Sequence, residues 1–72
     1  MTAWQVRVVR KLLEAGNQGI MQGPLVHAAD PDVSAEDLIR FLESLRAEHA
    51  VQKFTERHAT IWRATNILPS VV

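Results

Sequence analysis

Within residues 38–65 an amphipathic helix stops abruptly and gives way to two short strands folded on each other, a join that few small folds accommodate. Leu38, Phe41, Leu42, Leu45 and His49 recur at three- and four-residue spacing, which places them on one face of a helix. His49 stands where a left-handed residue, usually glycine, would end that helix. Residues 51–55 and 60–65 are rich in β-branched and aromatic side chains, the composition of strands, and residues 55–59 make the connecting loop.

Seventy-two residues allow one domain. A chain this small buries only ~60% of its unfolded surface, so at ~0.05–0.15 kcal/mol per residue its stability amounts to a few kcal/mol. An apolar share of 47% is enough for a core and argues against disorder. The absence of cysteine removes disulfides and thiolate metal sites. No apolar run approaches the ~18 residues of a membrane span, and no basic-then-apolar leader pattern follows Met1-Thr2. The expectation is a soluble cytoplasmic protein.

A net charge of zero conceals an uneven distribution. Arg7, Arg10 and Lys11 against Glu14 leave +2 over residues 1–20. Arg40 and Arg46 against Asp30, Asp32, Glu36, Asp37, Glu43 and Glu48 leave −4 over residues 21–50. Lys53, Arg57 and Arg63 against Glu56 leave +2 over the remainder. Positive ends around a negative middle can serve an anionic or a basic partner.

Ahead of the helix–hairpin join, Thr2 is a candidate cap for a helix over residues 3–15, with Val6, Val8, Val9, Leu12 and Leu13 as its buried arc. Gly16 supplies its left-handed stop. Ile20-Met21 reads as a minimal strand pairing with the hairpin. A short helix over residues 24–29 follows, with Pro24 in its first position, where a missing N–H costs nothing. Asp30-Pro31-Asp32 ends it. Ser34 caps the third helix, and Glu36 and Asp37 sit in its first turn, where the helix dipole favours acids.

The resulting order, α-β-α-α-β-β, together with Leu45, Val51 and a hairpin carrying Trp62, resembles the winged helix-turn-helix family over nearly the whole chain. The resemblance implies a small α+β winged helix over residues 1–66, followed by an apolar tail at 67–72. Two positions depart from the family pattern: His49 replaces the usual glycine before the first wing strand, and the Thr-Glu-Arg-His-Ala loop has no glycine. The resemblance also implies a third helix that enters the DNA major groove and a wing that touches phosphate or the minor groove. By position, the outward residues of that helix are Ser34, Ala35, Glu36, Arg40, Glu43 and Ala47, with Arg40 between the carboxylates of Glu36 and Glu43. Lys53, Arg57, His58 and Arg63 lie on or beside the wing, where cations position phosphates without reading sequence.

The expected function is therefore non-catalytic binding of double-stranded DNA by a small transcriptional regulator or accessory factor. The alternative is a protein–protein module that docks through its acidic third helix. His27, His49 and His58 lack zinc-ligand spacing. No nucleophile–base–acid constellation or glycine-rich phosphate loop stands out. No enzyme activity, metal, cofactor or small-molecule substrate is expected. Trp62 reads as core and His49 as a residue at the core edge. Trp4, with Ile67, Leu68 and Val71 of the tail, forms a candidate self-association surface for a homodimer.

Overall fold

In the computed structural model, which describes residues 2–29 and 31–66, the first helix, α1, spans Ala3–Ala15 with Thr2 as its N-cap. The Thr2 N–H donates to Gln5 Oε1 at 2.9 Å, satisfying one of the donors a helix start leaves open. Val8, Val9 and Leu12 are fully buried, while Val6 and Leu13 are half-buried at the edges of the arc. Gly16 closes the helix at φ +60 and opens a single 3₁₀ turn, Gly16–Gln18. Gly19 follows at φ +72, where a Cβ would stand 2.8 Å from Ile61 Cγ2. Only glycine lets the chain pass so close to the sheet it is about to join.

That joining segment is β1, Ile20–Met21, followed at once by α2, Gln22–Ala28. The sequence expectation placed the start of α2 at Pro24, but the helix begins two residues earlier and Pro24 is its third residue. The first four N–H groups of a helix have no partner within it, so proline is tolerated anywhere in that turn. After Pro31, Ser34 Oγ accepts from the Asp37 N–H at 3.1 Å and begins α3, Ala35–Ala47.

The end of α3 depends on one left-handed residue. His49, at φ +62, lets its own N–H reach Arg46 O at 3.0 Å and the Ala50 N–H reach Leu45 O at 2.9 Å. This is the paired closure that glycine ordinarily provides. Thr65 Oγ1 donates to His49 O at 2.7 Å and so ties the turn to the far strand. The His49 side chain is exposed, not at the core edge, because the left-handed turn directs it outward.

Strands β2, Val51–Glu56, and β3, Ala59–Ala64, form an antiparallel hairpin. The five-residue loop expected at 55–59 contracts to the two residues Arg57-His58, and both strands extend to meet it. With β1 antiparallel on its other side, β3 is the centre of a three-stranded sheet ordered β1-β3-β2. The order α-β-α-α-β-β and the small α+β class are thus those expected from sequence.

One face of the sheet closes the core. Trp62, fully buried, shares a cluster with Val8, Val9, Leu12, Leu25, Leu38, Leu42, Leu45 and Val51. Each fully buried Leu, Val or Trp here contributes ~1.5–3 kcal/mol. The indole N–H of Trp62 donates to Gln22 Oε1 at 3.2 Å, so the largest core side chain carries no unmet donor. Residues 67–72, including Ile67, Leu68 and Val71 of the candidate tail surface, lie outside the described residues.

Candidate nucleic-acid interface

The α3 surface and the hairpin carry most of the residues singled out from sequence. On α3, Ser34, Ala35, Glu36, Arg40 and Ala47 are exposed. Arg40 does not lie between Glu36 and Glu43. Its guanidinium reaches Glu36, at i−4, at 3.5 Å and Asp37, at i−3, at 3.8 Å, both one turn back along the helix. Glu43 is engaged elsewhere: Oε2 accepts from Arg46 at 3.0 Å and Oε1 from Lys53 at 3.2 Å. Hydrogen bonds from Arg46 and then Lys53 hold its carboxyl below the usual carboxylate range.

Lys53 consequently leaves the set of outward wing cations. In register it faces Trp62, on the core side of the sheet, with its ammonium 5.4 Å from the indole centroid. Alternation along the strand puts Lys53 and Arg63 on opposite faces. Arg63 donates to Gln52 and lies 5.0 Å from the Phe54 ring, on the face turned away from the core. The four hairpin residues therefore occupy three places: Lys53 beside α3, Arg63 on the outer face, and Arg57 with His58 at the tip.

The tip differs from the rest. Arg57 at φ 49 and His58 at φ 69 are both left-handed, the pattern of a type I′ turn. Such turns favour Asn-Gly, because a residue with Cβ pays ~1–2 kcal/mol in that region. Both side chains are exposed, and among the described residues no carboxylate lies within ion-pairing distance of Arg57. On α1, Arg7 and Arg10 are likewise exposed and have no ion-pair partner among the described residues, while Lys11 meets Glu14 at 3.7 Å.

Trp4 is half-buried, its ring set edge-on against Phe41 at 5.4 Å between centroids, which joins α1 to α3. Sequence reasoning missed Gln22 as the partner of Trp62 and Glu43 as the partner of Lys53. Both contacts cross between elements, so no local spacing could have signalled them. No group of three His, Asp or Glu able to hold a metal occurs among the described residues, and no helix there is long and apolar enough to cross a membrane. No protein-family profile, curated protein or solved structure matches the chain.

Proposed function

We propose that the protein binds double-stranded DNA without catalysis or cofactor, with the hairpin as a wing whose tip contacts phosphate and α3 as the helix presented to the major groove. The observation that carries this reading is the tip. Strained backbone conformations persist where the surrounding structure imposes them, and they concentrate at functional sites. At Arg57-His58 the strain is borne by an imidazole and a guanidinium that has no carboxylate partner among the described residues, in a turn that Asn-Gly would form at lower cost. An exposed guanidinium at the end of a hairpin suits phosphate oxygens, whose neutralisation supplies the sequence-independent part of DNA affinity.

In this arrangement Ser34 and Ala35, small and exposed at the start of α3, allow close approach to the groove wall. Arg40 is the side chain that can reach base edges. Its two acidic neighbours hold it in place at the expense of some repulsion from the phosphates. Arg63 and Lys53 support the wing from its two faces and act at the DNA only secondarily.

DNA affinity measured over a salt series tests the reading. The parent binds random duplex at low salt, and Arg57→Ala weakens binding to all sequences alike, with a salt slope shallower by about one. No detectable binding by the parent at low salt would contradict it. One observation favours a second reading, docking on a basic protein: α3 and its C-cap carry Glu36, Asp37, Glu43 and Glu48 against Arg40 and Arg46, a balance of −2. On that reading DNA binding is absent, and a basic partner is lost when Glu36 and Glu43 are neutralised.

A further inference from the structure

Among the described residues the outer edge of β2 is open, since the strand order leaves it outermost. The Thr65 N–H donates to Ala50 O at 3.0 Å, which fixes the phase of the ladder. By alternation Gln52, Phe54 and Glu56 exchange both backbone bonds with Arg63, Ile61 and Ala59. The N–H and C=O groups of Val51, Lys53 and Thr55 therefore point away from β3, along an unpaired edge of the kind that templates strand addition. Lys53, the charge that could guard this edge, is drawn towards α3 by Glu43.

On the outer face, Met21 and Phe54 are the exposed large hydrophobic residues among those described, at 52% and 42%. Ile61 stands between them in register. This apolar row crosses all three strands and ends at the open edge, at Phe54.

We infer that β2 pairs antiparallel with β2 of a second copy of the chain, about a two-fold axis at Phe54. The register follows from the side chains along the strand. Both strands keep their outer faces on one side, so the axis must fall at a residue and not between two. Centred on Phe54, the pairing sets that ring beside the partner subunit's Phe54 and Lys53 opposite the partner subunit's Thr55. Glu56 comes to lie opposite the partner subunit's Gln52, the residue that within each chain accepts from Arg63. The carboxylate thus meets an amide backed by a guanidinium. Centred on Lys53, the pairing would instead set two ammonium groups directly opposite, which is destabilising. The charges select the first register.

The cysteine-free chain makes the register measurable. Phe54→Cys places two thiols at a non-hydrogen-bonded pair, with Cα atoms ~4.5 Å apart, inside the ~4.4–6.8 Å that a disulfide spans. Under air oxidation it is expected to form a covalent dimer, whereas Lys53→Cys, offset from its mate by two residues, stays uncrosslinked. Thr55→Pro removes only an outward N–H, which an edge strand tolerates. It is expected to raise the dimer dissociation constant by about tenfold or more. In the parent, amide exchange at Lys53 and Thr55 should slow as concentration rises. A parent that sediments as a monomer at high micromolar concentration overturns the inference. So does crosslinking of Lys53→Cys at the rate of Phe54→Cys, or protection of those amides that is independent of concentration, which would mean another segment covers the edge. None of these measurements involves DNA, so the outcome is separate from the proposed function.

Discussion

The cations on the exposed surface of α3 and the arginine at the hairpin tip are treated in opposite ways. On α3 each positive charge is closed locally: Arg40 by Glu36 and Asp37, and Arg46, with Lys53 of β2, by Glu43. The backbone beneath them is regular helix and strand. At the tip, Arg57 has no carboxylate partner among the described residues and the backbone is left-handed at two successive positions. One region spends its charges internally on an unstrained scaffold. The other holds its charges outward on a scaffold that costs stability. A charge tied to a neighbour contributes a few tenths of a kcal/mol to a helix; a free one at a strained site is available to something outside the chain.

The frame common to both regions is the helix–hairpin junction, and breaking it has the largest expected effect. Leu45→Ala empties a core position beside the left-handed closure at His49, at a cost of ~2–5 kcal/mol. In a domain worth only a few kcal/mol in total, chemical denaturation should find the variant largely unfolded, with any binding lost in proportion. A cooperative melt close to the parent temperature would show that α3 and the hairpin are not joined through this residue.

A smaller effect separates structural strain from functional strain. His49 is left-handed as the tip residues are, but it closes a helix and Thr65 braces it. His49→Gly should therefore raise stability by ~1 kcal/mol, or ~4–8 °C in Tm for a domain of this size. DNA affinity should not change. A loss of affinity would move the interface from the tip towards the junction.

The smallest effect concerns the closed charges. The Glu43 carboxyl is held below its usual range by Arg46 and Lys53. Its folded value is depressed, so its contribution to stability is present above the unfolded value and is lost as pH falls through the folded one. An acid titration monitored by melting should show a slightly shallower decline for Glu43→Gln than for the parent. The difference is small, because the pair is solvent-accessible and salt screens it. Freed from Glu43, Lys53 and Arg46 should also tighten non-specific DNA binding; weaker binding would mean that the pairing holds them in a required pose.

These two regions were not equally legible in the sequence. The fold came through because its signals are local: Ser34 before a periodic helix, Gly16 after one, and β-branched strands around Trp62. His49 could be placed in the left-handed region because nothing else between Leu45 and Val51 could turn the chain. The start of α2 was misplaced because proline marks a first turn without marking a particular residue of it. The hairpin turn was drawn too long for the opposite reason: Arg-His carries none of the Asn or Gly that announces a tight turn, and tertiary pairing overrode the local preference. On α3, spacing named Glu36 as a partner of Arg40 correctly but offered Glu43 where the second partner is Asp37, because it could not foresee that packing brings Lys53, ten residues beyond Glu43, to claim that carboxylate. What sequence conceals here is which charges are already spent.

The most direct measurement compares stability and binding in one variant, Arg57→Asn/His58→Gly. Replacing the tip with the residues a type I′ turn favours should relieve left-handed strain and raise Tm by ~4–8 °C, for a net gain of ~1 kcal/mol. Duplex DNA affinity at low salt should fall for every sequence, and the salt slope should lose about one phosphate contact. Stabilisation together with loss of binding is the predicted result. A variant that melts higher and binds DNA as the parent does would be the contradicting result, because the strained, unpaired arginine at the tip would then serve no partner.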